Sequence, residues 1–197
     1  MSSSNEQKYA SGNPVVQALL GRFLERVVGL AASQRPSRVV DLGCGEGLVA
    51  ARILERLPSV EYRGIELDPT AADAARQNAP AAEIREGDIR TVAPERAWAD
   101  VSLCLEVLEH LDDPAPAVRR IAEWTTGLAI VSVPWEPFFR GGNLLRGKYL
   151  EQLGNHPEHV QQFGPRSFRR LLEREFAVVR VERCFPWLIA RAAAPRR

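Results

Sequence analysis

The stretch Val39-Val40-Asp41-Leu42-Gly43-Cys44-Gly45-Glu46-Gly47-Leu48-Val49-Ala50 constrains this chain more than any other. It reads as an apolar strand, a turn with glycine at every second position, and the first turn of a helix. Such a turn brings backbone against a ligand, because no side chain at Gly43 or Gly45 fills the space or forbids positive φ. The helix starting near Gly47 adds unpaired N–H groups and a partial positive charge. A tight turn without a ligand would need fewer glycines. A dinucleotide site of the form G-x-G-x-x-G has no acidic residue opening the loop; here Asp41 stands ahead of the glycines. A carboxylate in that place repels a pyrophosphate and pairs with an ammonium group. The ligand expected is therefore a cationic, amino-acid-bearing nucleoside.

Three later segments extend the pattern. Gly64-Ile65-Glu66-Leu67-Asp68-Pro69 ends a second strand, and Glu66 lies near the spacing at which an acidic side chain takes ribose hydroxyls. A carboxylate accepts from both vicinal hydroxyls, and its charge strengthens each bond. Glu86-Gly87-Asp88-Ile89 follows, then Asp100-Val101-Ser102-Leu103-Cys104-Leu105-Glu106-Val107-Leu108-Glu109-His110-Leu111. In this order the four segments resemble the motifs of the class I S-adenosylmethionine-dependent methyltransferases. The resemblance covers residues 37 to 193 in fold, and the motifs run from Val39 to Leu111. It implies that Asp41, Gly43, Gly45 and Gly47 hold the amino-acid part of S-adenosyl-L-methionine and of its product S-adenosyl-L-homocysteine. It also implies Glu66 on the ribose, Leu67, Asp88 and Ile89 around the adenine, and Leu105 with Glu106 under the methyl group.

Strand and helix patterns alternate: strands at 37–41, 61–66, 82–86, 101–105 and 128–133, helices at 48–57, 70–78 and 114–124. This predicts an α/β fold, a parallel sheet with helices on both faces and its ligands at the carboxyl ends of the strands. Residues 177–184 and 187–193 read as a final hairpin turning at Phe185-Pro186, after a helix at 165–175. The whole is a Rossmann-like doubly wound seven-stranded sheet, mostly parallel with an antiparallel C-terminal strand. One domain spans residues 1–197, with a flexible tail at 1–12 and an N-terminal helix at 13–32 that covers the cleft or the sheet face. Residues 134–164 break the pattern with Trp135, Phe138, Phe139 and Tyr149, and exceed an ordinary connection. Exposed, these aromatics would form a sticky patch, so the segment is read as a lid forming the acceptor wall.

With 197 residues and 45% apolar content, the chain can bury a sizeable core. No membrane-length apolar run and no signal pattern occur, which points to a soluble cytoplasmic enzyme. Three widely spaced cysteines suggest neither a disulfide framework nor a zinc knuckle. A net charge of +1 lacks the footprint of a nucleic-acid binder. Residues 136–197, however, carry twelve Lys or Arg against six Glu, which fits an anionic small-molecule acceptor as well as an arginine-studded surface.

Methyl transfer from a sulfonium needs alignment and water exclusion more than a strong catalytic group. A hydroxyl acceptor gains from a base near pH 7, and the three histidines, His110, His156 and His159, are the candidates. His110 either acts as that base or shapes the cofactor pocket. Two other readings stay open. Glu106, Glu109 and His110 would share one face of a helix, and with a lid histidine could hold Mg²⁺ or Mn²⁺. That set resembles the metal site of small-RNA 3′-terminal 2′-O-methyltransferases, although Glu-Val-Leu-Glu-His-Leu also resembles non-metal enzymes of quinone biosynthesis. The remaining reading is a non-catalytic module that binds the nucleoside. The expectation is a small-molecule methyltransferase acting at oxygen, without a metal; oligomeric state is not legible.

Overall fold

A computed structural model describes residues 13–135 and 161–196. Helix α1 (Pro14–Ser33) starts where Asn13 accepts from Val15 N–H and Pro14 occupies the first turn. The order then runs β1 (Arg38–Leu42), α2 (Leu48–Arg56), β2 (Glu61–Glu66), α3 (Pro69–Asn78), β3 (Glu83–Glu86), β4 (Ala99–Leu105), α4 (Ala115–Trp124), β5 (Thr125–Pro134), α5 (Pro165–Leu172), β6 (Phe176–Cys184) and β7 (Trp187–Pro195). The seven strands form one sheet in the order β3-β2-β1-β4-β5-β7-β6. β3 to β5 run parallel; β7 lies antiparallel between β5 and β6.

Central strands are buried on both faces. Val39, Val101, Leu103 and Ile130 face α1 and α2 on one side. Val40, Leu42, Cys104 and Val131 face α4 and α5 on the other. This is the arrangement that near-continuous apolar strands demand. The strand order reverses at β1–β4, so the carboxyl ends of these two strands open a crevice.

Two strands begin earlier than the sequence suggests, β4 at Ala99 and β5 at Thr125. The reason is a register shift between Ala99 and Val101, which keeps Ala99 paired with Thr125 across the polar Asp100. Asp100 is itself structural, accepting from Ser37 and Arg38 N–H at the head of β1. Helix α5 stops at Leu172 rather than at Glu175, and Glu173 to Glu175 continue as a turn. No helix among the described residues is long and apolar enough to cross a membrane.

Candidate functional site

The glycine turn does what its sequence requires. Gly43, Gly45 and Gly47 have φ of +90°, +54° and +77°, the left-handed region that side chains disfavour. Space is also closed: a Cβ on Gly43 would stand 2.5 Å from Val107 Cγ2, and one on Gly47 2.9 Å from Ala75 Cα. Gly43 and Cys44 N–H donate to Ile65 O at 2.8 and 3.1 Å, which ties the turn to the end of β2. Gly47 then caps α2.

Asp41 is buried, with 2% of its surface exposed. Tyr62 O–H donates to its Oδ2 at 2.7 Å, while its Oδ1 has no hydrogen-bond partner among the described residues. Burial, opposed by the Tyr62 hydrogen bond and helped by the negative Glu66, raises the Asp41 pKa to about 6. Beside it lies a depression of about 60 Å³ whose lining includes Phe23, Asp41, Gly43, Gly45, Leu105 and Glu106. That volume is too small for a whole nucleoside, which would extend beyond it. A larger groove of about 410 Å³ lies elsewhere, near Thr125 at the start of β5 and Pro195 at the end of β7. Its Arg96 and Arg119 stand 3.7 and 3.5 Å from the carboxylates of Glu123 and Glu175, and none of the residues named from the four motifs lines it.

Glu66 ends β2 and braces the turn. Its Oε2 accepts from Gly45 N–H at 2.8 Å, and its Oε1 from Leu67 and Asp68 N–H at 2.8 and 3.0 Å. Leu67, next to it, is 63% exposed, a large apolar side chain open to a flat ring. Asp88 accepts from Arg90, both from its backbone N–H and from its guanidinium, and the charged Arg90 holds the Asp88 pKa below the ordinary value. Ile89 is buried in the core.

Glu106 has φ +59° and does not begin a helix. It terminates β4, where its Oε1 accepts from Ser132 O–H at 2.9 Å and its Oε2 from Trp187 Nε1–H at 2.7 Å. Glu109 and His110 fall in a short 3₁₀ turn, Leu108–His110, with Glu109 buried. The single helical face expected for Glu106, Glu109 and His110 is therefore absent, because the left-handed residue interrupts it. Among the described residues no group of three or more His, Cys, Asp or Glu side chains is placed to hold a metal. His110 Nε2 stands 4.0 Å from Glu109 Oε1, and His110 does not line the depression. His156, His159 and most of the 134–164 segment lie outside the described residues.

Several site residues have no motif. Phe23 of α1 lines the depression and packs on Trp187 with ring centroids 4.7 Å apart. The first helix thus packs on the sheet face with its buried residues and reaches the depression through Phe23. Tyr62 partners Asp41 through strand register: Val39 pairs with Tyr62 and Asp41 with Gly64, so Asp41 and Tyr62 share a face. The period-two reading of β1 and β2, once aligned, is the signal for it. Ser132 and Trp187 had no such signal.

The family model described as "Methyltransferase domain" matches residues 15–180. The chain is 45% identical over 51 residues to tRNA1(Val) (adenine(37)-N6)-methyltransferase of Porphyromonas gingivalis, covering 26% of this chain and 20% of that protein. It is 36% identical over 90 residues to ubiquinone biosynthesis O-methyltransferase of Alkalilimnicola ehrlichii, covering 43% of this chain and 36% of that protein. The matches thus span 20% to 36% of those relatives' length. Among solved structures, the methyltransferase domain of bacterial CtHen1 superposes with a TM-score of 0.70 at 20% identity, covering 89% of this chain and 100% of that one. At that identity the likeness is one of fold.

Proposed function

This chain belongs to the methyltransferase-domain family, and on that premise we propose that it transfers a methyl group from S-adenosylmethionine to a small-molecule acceptor, at oxygen. The observation that carries the reading is Asp41 Oδ1, a buried acceptor without a hydrogen-bond partner among the described residues, beside a turn of backbone without side chains. A buried carboxylate oxygen in that state is costly unless a ligand completes it, and the ammonium of an amino-acid-bearing nucleoside supplies the missing donors. The residues therefore fit the group. When bound, the sulfonium offers a methyl carbon already activated by its neighbouring positive charge.

In this reading Asp41 holds the ammonium, and Gly43, Gly45 and Gly47 let the backbone approach. Glu66 meets the ribose hydroxyls with the one Oε2 lone pair that its three backbone N–H contacts leave over. Leu67 packs on the adenine, and Asp88 and Ile89 border it. Leu105 and Glu106 floor the methyl site. His110 is the base nearest in sequence to that floor; His156 and His159 are the other candidates, with residues 135–163 choosing the acceptor. The excess of twelve basic over six acidic residues beyond residue 135 supports an anionic acceptor, and the likeness to a ubiquinone biosynthesis O-methyltransferase supports oxygen.

The test is calorimetry with S-adenosylmethionine and S-adenosylhomocysteine, followed by an acceptor panel read by S-adenosylhomocysteine release. The panel includes phenols, small carboxylic acids and an RNA 3′ end, with and without EDTA. Turnover of a small hydroxylated acid that survives EDTA supports the proposal. Turnover of the RNA end that is lost on chelation selects the metal-dependent alternative. Binding without turnover of any acceptor selects the non-catalytic module. A chain that gives no heat with either nucleoside, yet binds a pyridine dinucleotide, overturns the cofactor assignment.

A further inference from the structure

Asp41 is usable by a cation only if one carboxylate oxygen points to the ligand and the group is ionised when the ligand arrives. Both conditions depend on what meets its other oxygen. That partner is Tyr62, whose O–H donates to Oδ2 at 2.7 Å, with the phenol 1% exposed and packed among the residues under α1 and α2. The two residues come from adjacent parallel strands, with Gly64 opposite Asp41 in register. A Cβ on Gly64 would approach Cys44 Sγ and Ile84 Cδ1 to 2.7 Å each, so these two side chains fill the place of one there.

Resting on the cofactor reading above, we propose that Tyr62 is a positioning residue for cofactor binding: it claims Asp41 Oδ2, fixes the carboxylate rotamer, and leaves Oδ1 as the acceptor for the ligand's ammonium. Tyr62 touches no ligand itself. It also opposes the burial that favours the neutral acid, because a hydrogen bond to the charged form stabilises that form.

Among the described residues, the groups around Asp41 leave Tyr62 alone in this role. Glu66 on β2 is negative and acts the other way. The Cys44 thiol in the turn and the Cys104 thiol on β4 are both pushed up by burial first and by the Asp41 charge next, so both stay neutral. Glu46 and Glu106 share the lining of the depression and are acidic, while Phe23 from α1 and Leu48 and Val49 from α2 carry no charge. Among the described residues, the Tyr62 hydroxyl is the donor to this carboxylate.

The experiment is S-adenosylhomocysteine affinity by calorimetry from pH 5 to pH 9 for wild type, Tyr62→Phe, Asp41→Asn and the double variant. Tyr62→Phe keeps the ring and deletes one oxygen. The expected result is a loss of about tenfold at pH 7 that is largely regained by pH 9, because the carboxyl of the variant ionises later. In the Asp41→Asn background the same substitution should add nothing, since its effect runs through Asp41. A Tyr62→Phe profile that overlays the wild type, or a further loss in the double variant, overturns the proposal. No heat from wild type at any pH would instead sink the cofactor reading itself. Should Tyr62→Phe fail to fold, the wild-type chain labelled with 3-fluorotyrosine serves. One ¹⁹F signal is expected to titrate with the midpoint of binding and to stop titrating once S-adenosylhomocysteine saturates the site; no titrating signal would overturn the proposal.

Discussion

Glu66 Oε2 accepts a hydrogen bond from Gly45 N–H at 2.8 Å. The carboxylate at the end of β2 therefore braces the glycine turn, and in the proposed reading its one remaining Oε2 lone pair is what the ribose meets. Glu66→Ala should weaken S-adenosylhomocysteine binding by about 1–3 kcal/mol, the usual loss when hydrogen bonds to a charged group vanish. Glu66→Gln keeps one accepting oxygen but sets its NH2 against the N–H groups on the other side, so it should lose affinity too. Calorimetry on both variants checks the losses; equal affinity in wild type and Glu66→Ala contradicts the ribose assignment.

Gly47 combines φ +77° with the 2.9 Å approach a Cβ would make to Ala75 Cα. The obstacle is backbone, so it does not give way. Gly47→Ala should destabilise by about 2–4 kcal/mol, summing a left-handed penalty of ~1–2 with overpacking of similar size. At Gly43 the obstacle is the tip of Val107. There, Val107→Ala should restore part of what Gly43→Ala loses. Thermal melts of the single and double variants read both effects.

The Asp41 pKa of about 6 sets a pH dependence for binding. Above it the carboxylate is ready for a cation; below it, binding an ammonium must expel a proton. Affinity for S-adenosylhomocysteine should fall about tenfold per pH unit below 6 and be flat above it until other groups titrate. Calorimetry in two buffers of different ionisation enthalpy should show proton release at pH 5.5 and little at pH 7.5.

Stability of the ligand-free chain carries the opposite sign. The Asp41 pKa is raised from 3.8 to about 6 on folding, so the native state binds the proton more tightly. The contribution of this group is full below pH 3.8 and is lost as pH rises through 6. The amount is on the order of 3 kcal/mol. Asp41→Asn removes it, so the variant's stability, measured in urea from pH 4 to pH 8, should gain on wild type as pH rises.

The turn, the strand–helix alternation and the final hairpin were legible because each rests on local pattern: glycine at positions of positive φ, unbroken apolar strands, Pro186 in a two-residue connection. Asp41 was legible by chemical type. Its partner Tyr62 was not, since their meeting depends on the register of β1 against β2. Glu106 shows the same limit more sharply. Its acceptors are met by Ser132 and Trp187, 26 and 81 residues away, and its φ of +59° breaks the helix that the i, i+3, i+4 spacing suggests. Asp88 was read as an adenine contact from motif position alone, and the pattern gave no hint that Arg90 grips its side chain.

The reversal of β7 has a cost for any shortened form of this chain. Because that strand runs against β5, its first residue, Trp187, arrives at the same end of the sheet as Glu106 and clasps it. Ending the polypeptide after α5 would strip an indole donor from the floor of the crevice and turn β5 into an unprotected rim. The terminal hairpin, distant in sequence from the motifs, thus holds one of their side chains in place and is not a detachable appendix.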